Sequence, residues 1–100
     1  MKIIDCNEYE LDGSEKVISL CSEGAGSTVT GVTYVETLAD GAVTLKGYID
    51  GKTPIEITPI NAVSYATGAI SKKGIYMVST EAYSKLGITG SGTVIVKRLY

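Results

Sequence analysis

Histidine is absent from the 100 residues, and so are tryptophan and phenylalanine. Without histidine there is no imidazole base, so Ser-His-Asp and Cys-His nucleophile systems are excluded, as is every zinc site that uses a histidine ligand. Only two cysteines are present, and an all-cysteine zinc site needs four thiolates. Cys6 and Cys21 also lack the C-x-x-C spacing of a redox pair. They are read either as disulfide partners or as two free, partly buried thiols. No apolar run approaches the ~18–20 residues that a bilayer-spanning helix requires. The N-terminal MKIIDCNEYELDG turns acidic too soon to supply the apolar stretch of a secretory signal.

The remaining composition is that of one folded domain spanning residues 1–100. Hydrophobic residues make up 44% and charged residues 20%, which is enough to build a core and too little charge for a disordered chain. Seven tyrosines are the whole aromatic complement. The core must therefore be mainly aliphatic, and any buried tyrosine needs a partner for its hydroxyl. The net charge of −2 conceals a division along the chain. Residues 1–40 carry two basic against eight acidic groups, a net −6, whereas residues 41–100 carry seven against three, a net +4. Either strand neighbours mix these charges over one surface, or an acidic and a basic face favour head-to-tail packing of copies. The lysines are dispersed and not interleaved with aromatics, so neither a nucleic acid nor a membrane is an expected partner.

Turn signals organise the chain. Asp12-Gly13, Asp40-Gly41 and Asp50-Gly51 each stand between β-rich segments, and Gly90-Ser91-Gly92 offers a fourth tight connection. Asp and Gly tolerate the positive φ angles of short hairpins, which makes these dipeptides hairpin signals. Between them lie KVISLC at 16–21, TVTGVTYVETL at 28–38 and AVTLKGYI at 42–49. PIEIT at 54–58, GIYMVS at 74–79, and a closing pair at 84–89 and 93–99 complete the set. Pro54 and Pro59 bracket a short edge strand, and Gly31 marks a bend. No segment carries helical periodicity over ten residues. The predicted fold is all-β: an antiparallel β-sandwich, or squat barrel, of about seven to eight short strands. Residues 1–7 read as an extended arm and Asn61–Ala69 as a loop, and both are contact candidates.

In the terminal TVIVKRLY, Val94 and Val96 share one face, while Thr93, Ile95, Lys97 and Leu99 share the other. Such a strand is central in its sheet, or it turns Ile95 and Leu99 toward another subunit. The carboxylate pairs, the Gly-rich stretch at 24–28 and the Ser71-Lys72-Lys73 run each lack the partners that glycosidase, phosphate-loop or Ser-Lys chemistry requires. The expectation is a protein that is not an enzyme and uses no cofactor or metal. The functional groups that remain are tyrosines. Tyr48 faces away from Val43, Leu45 and Ile49 on its strand, Tyr65 sits in the loop NAVSYATGA, and Tyr100 ends the chain. With Ile95 and Leu99, they are the candidate interaction residues.

The last third, GAISKKGIYMVSTEAYSKLGITGSGTVIVKRLY, resembles small β-sandwich auxiliary or decoration proteins of tailed-bacteriophage particles. The shared features are a turn into "GIY-apolar-apolar", a corner containing tyrosine, a short strand, and "SGTVxV" near the end. The resemblance covers roughly residues 68–100. It implies a virion protein made in a host bacterial cytoplasm without a signal peptide. Such a protein binds a capsid or other virion protein, or sister copies in a homo-oligomer. No site residues transfer with it. The alternative is a glycan- or receptor-binding module that stacks sugars on exposed tyrosines, with Tyr48 and Tyr65 as its candidates.

Overall fold

A computed structural model describes residues 3–20, 32–49, 52–80 and 83–99. These residues form eight strands: β1 (Ile3–Asp12), β2 (Lys16–Ser19), β3 (Val32–Thr37), β4 (Val43–Tyr48), β5 (Pro54–Ile57), β6 (Ile60–Asn61), β7 (Gly74–Ser79) and β8 (Lys85–Leu99). Every pairing is antiparallel, and the sheet curls into a half-barrel. The all-β class and the antiparallel sandwich-or-barrel architecture follow the sequence reading.

β8 organises everything else. It is one bent strand of 15 residues, central in two sheets. Its C-terminal half pairs with β1 and β3 in sheet A, where β7 and β6 follow β3. Its N-terminal half pairs with β2 and β4 in sheet B, where β5 pairs with β4. The expected hairpin at Gly90-Ser91-Gly92 is therefore corrected. The three residues are the bend at which β8 passes from one sheet to the other, and Gly92 sits at φ 90°. Two of the Asp-Gly hairpins are corrected in the same way. β1 and β2 both run antiparallel to β8, so Asp12–Glu15 is a corner between them rather than a reversal. β3 and β4 likewise follow β8 in succession, with Leu38–Ala42 as their corner. Only the Asp50-Gly51 site joins two strands that pair with each other, and those two residues lie outside the described set.

The aspartates hold these corners. The Asp12 carboxylate accepts the Ser14 N–H at 3.1 Å and lies 3.8 Å from the Lys16 ammonium. Those hydrogen bonds to Ser14, and then the lysine charge, hold the Asp12 carboxyl below its usual range. Asp40 accepts the Lys73 N–H at 2.9 Å, which ties the β3–β4 corner to the start of β7.

The core fills the concave side. Leu11, Ile18, Leu20, Val35, Val43, Leu45, Ile70, Val78, Leu86, Ile88, Val94 and Val96 form one buried cluster. Tyr76 joins it, and its hydroxyl donates to Lys72 O at 2.6 Å, which meets the requirement for a buried phenol. Thr33, Thr37 and Thr80 are also buried. The Thr33 and Thr80 hydroxyls are 3.0 Å apart, and the Thr37 hydroxyl accepts the Gly74 N–H and donates to Lys72 O. Among the described side chains no buried polar atom lacks a hydrogen-bond partner. None of the described residues forms a helix long and apolar enough to cross a membrane.

Residues 3–7, which read as part of an arm, are strand: Ile3, Asp5, Cys6 and Asn7 pair with Leu99, Arg98, Lys97 and Val96, with a register shift between Ile3 and Asp5. Cys6 is an exposed free thiol rather than a partly buried one, and Cys21 and Gly31 lie outside the described residues. The Asn61–Ala69 loop is ordered by its own backbone. Asn61 Oδ1 accepts the N–H groups of Val63 and Ser64, Tyr65 N donates to Asn61 O, and Asn61 N donates to Ala66 O.

Candidate interaction surface

Alternation along the strands sends one set of side chains into the core and the other onto a convex outer face. In sheet A that outer face is broad, with apolar groups at its centre and charged groups among and beside them. β3 contributes Tyr34 and Glu36, β7 contributes Ile75 and Met77, and β8 contributes Ile95 and Lys97. Ile75 is 42% exposed, which is far more than a sheet face sealed by its own chain would leave. Tyr34, Glu36, Ala62, Ile75, Ile95 and Lys97 line a shallow hollow of about 270 Å³. The β1 flank of the face carries the exposed Cys6, Glu8 and Glu10.

The five sequence candidates separate here. Ile95 lies in the hollow. Leu99 is only 6% exposed: in the ladder it stands between Ile3 on one side and Val32 on the other, and it packs rather than offering a contact. Tyr100 lies outside the described residues. Tyr65, 72% exposed, is at the tip of the Asn61–Thr67 hairpin, close in sequence to Val63, which is 81% exposed. Its φ of 60° is unusual for a bulky residue and is held by the hydrogen bonds of that hairpin.

Tyr48 is on the outer face of sheet B, as the alternation of β4 predicts, but its polar end is already engaged. Its hydroxyl donates to the Glu15 carboxylate, at 2.8 and 2.7 Å from the two oxygens. Glu15 lies across the bare backbone of Gly87, where a Cβ would come within 2.7 Å of its carboxyl carbon. That hydrogen bond, before desolvation and the carboxylate charge, raises the Tyr48 phenol above its ordinary value of 10.0. The raised value belongs to the folded state, so the contribution is complete below the ordinary phenol pKa and disappears as pH rises through the raised one. Glu15→Gln should return the Tyr48 ring titration, followed by NMR, toward the ordinary value. An unchanged titration would mean that Glu15 does not hold the phenol in solution.

The chain matches no family model, no curated protein and no solved structure. The function therefore has to be argued from this surface.

Alternation alone identified Ile95. It did not identify Tyr34 and Ile75, although the same rule applies to them. In TYVET the inward residues are Thr33, Val35 and Thr37, so two threonines face the core while the tyrosine faces out beside Glu36. In GIYMVS, Tyr76 and Val78 point inward and Ile75 and Met77 outward, and only the pairing partner decides which apolar set is covered.

Proposed function

We propose that this chain is a non-enzymatic structural protein of an assembly. In this reading it is an auxiliary capsid (decoration) protein or another accessory protein of a phage particle. It docks onto a shell protein or sister copies through the outer face of sheet A. The observation that carries the reading is the exposed apolar hollow around Ile75 and Ile95, on the face opposite a complete core. A face of this kind suits protein contact, with buried aliphatic and tyrosine groups supplying the affinity and charges setting orientation. The phage setting comes from the resemblance of residues 68–100. That stretch supplies β7 and β8, and with them Ile75 and Ile95.

Size fractionation of an extract of the producing cells tests the proposal. The chain should elute in a stoichiometric complex well above its own 10.5 kDa. The second reading, a glycan-binding module, is favoured by one observation, the exposed Tyr65 ring on its ordered hairpin. Elution as a bare monomer, together with saturable glycan binding that Tyr65→Ala removes, would replace the first reading with the second.

A further inference from the structure

We propose that Asp12-Gly13 and Asp40-Gly41 are latent sites of isoaspartate formation, held closed by the fold, and that the bend of β8 at Gly90 and Ser91 is the catch they share. This goes beyond the assembly reading and does not depend on it.

In an Asp-Gly dipeptide the glycine nitrogen can attack the preceding side chain with little hindrance, because glycine has no Cβ. The nitrogen bonds to the Asp Cγ. Its proton and the carboxyl OH leave together as one water, and a five-membered succinimide remains. Water then adds at one of the two ring carbonyls. Addition at Cγ restores aspartate. Addition at the original main-chain carbonyl breaks its bond to the glycine nitrogen, and the chain then runs through Cβ and Cγ, one carbon longer. Water is the sole co-reactant.

Burial does not prevent this reaction, since the Asp12 and Asp40 side chains are 64% and 61% exposed. The hydrogen bonds of the corners do. Attack requires the nitrogen to release its proton and the carboxyl to swing toward it. Gly13 N donates to Gly90 O at 2.9 Å, and Gly41 N donates to Ser71 O at 3.0 Å, so both protons are held by distant partners. The carboxylates are held as well. Asp12 Oδ1 accepts the N–H and the hydroxyl of Ser14, and Asp40 Oδ1 accepts the Lys73 N–H at 2.9 Å. The Lys16 and Lys72 ammonium groups lie 3.8 and 3.9 Å from the other carboxylate oxygens. The Ser14 bonds and the Lys16 charge also keep Asp12 ionised, whereas the OH departs only from the protonated acid.

The two corners meet at one place. Asp12 pairs with Ser91, and the Gly13 N–H ends on Gly90 O. From the other side Val43 pairs with Gly90, and a Cβ on Gly41 would lie 3.9 Å from the Ser91 hydroxyl. Opening either corner therefore disturbs the residues that close the other, and local opening proceeds in such cooperative units.

Ageing of the purified full chain at neutral pH, in buffer and in guanidinium chloride, tests the proposal. Peptide mapping that resolves isoaspartyl from aspartyl peptides gives the rate at each site. Asp50-Gly51 in the denatured sample verifies that the product is detected. In buffer, the rates at Asp12 and Asp40 should each be at least about tenfold below those in denaturant. A smaller difference at either corner would overturn the proposal. Amide exchange followed by NMR tests the shared catch. The protection factors of Gly13 and Gly41 should agree within about tenfold, and a wider gap would mean that the corners open separately. Gly90→Ala, with folding checked by circular dichroism, should raise isomerisation at both corners by at least about fivefold. A rise at one corner alone would also overturn the shared catch. Should that variant not fold, amide exchange in the wild-type chain decides.

Discussion

Gly90→Ala should destabilise the protein by about 3 kcal/mol or more, measured by urea unfolding. The added Cβ would stand 2.6 Å from Ala42 O and 3.2 Å from Val43 Cα. Both are backbone atoms of the β3–β4 corner, so no rotamer change can make room. Backbone movement would have to propagate, because Val43 N donates to Ile70 O and Val43 pairs directly with Gly90. The opposing effect is small, since alanine restricts the unfolded chain more than glycine by about 0.4–1 kcal/mol. The clash therefore wins. Against a typical total of about 5–15 kcal/mol, such a loss is readily measured. The neighbouring Ser91 is exposed, and Ser91→Ala should stay within about 0.5 kcal/mol. If both variants were equally mild, the passage of β8 between the sheets would not depend on close approach at Gly90.

The same corner explains how much of the fold the sequence discloses. Strand positions and their alternation were legible, because period-2 patterning is local and KVIS, VTLKGY and GIYMVS each carry it. The connections were not legible. A hairpin and a corner use the same residues, since both need tight turns and positive φ. Gly13 adopts φ 93°, yet the strands it joins both pair with β8 rather than with each other. That choice is made by partners more than sixty residues away, beyond the reach of any dipeptide signal. A length match is the one trace in the chain. β1 with β2, and β3 with β4, each run the span of β8 once their corners are included.

The interaction surface was partly legible for a related reason. Ile95 stood out because β8 is apolar on both faces and only one of them can line the core. Leu99 obeys the same alternation but is covered, and the exposure of Ile75 depends on which of two apolar sets in β7 meets the core. Tyr48 was identified correctly as outward. Its bond to Glu15 joins residues 33 apart in the chain, so no local pattern announces it.

Gly47 and Tyr83 should show the second large effect, and they should show it jointly. Gly47 is an inward position of β4 between Leu45 and the strand end, where a strand would ordinarily carry an aliphatic side chain. The Tyr83 ring occupies that place, since a Cβ on Gly47 would lie 2.6 Å from Tyr83 Cγ and 2.7 Å from Cε1. A ring laid over a bare strand glycine restores the packing that the glycine omits. The ring is anchored on both sides. Tyr83 N donates to Thr80 O, and the next residue, Ser84, donates its N–H and its hydroxyl to Tyr48 O at 2.7 and 2.9 Å. Gly47→Ala should therefore cost about 2–3 kcal/mol by overpacking, despite the entropy that alanine saves. Tyr83→Ala should cost about 2–4 kcal/mol through the cavity it leaves against the core cluster. In the double variant the methyl enters space the ring has vacated, so the total should fall short of the sum by about 1–2 kcal/mol. Urea unfolding of the four proteins closes the cycle. Additivity within about 0.5 kcal/mol would mean that the ring swings aside for a methyl group. In that case the end of β4 would be held by the hydrogen bonds from Ser84 rather than by the ring.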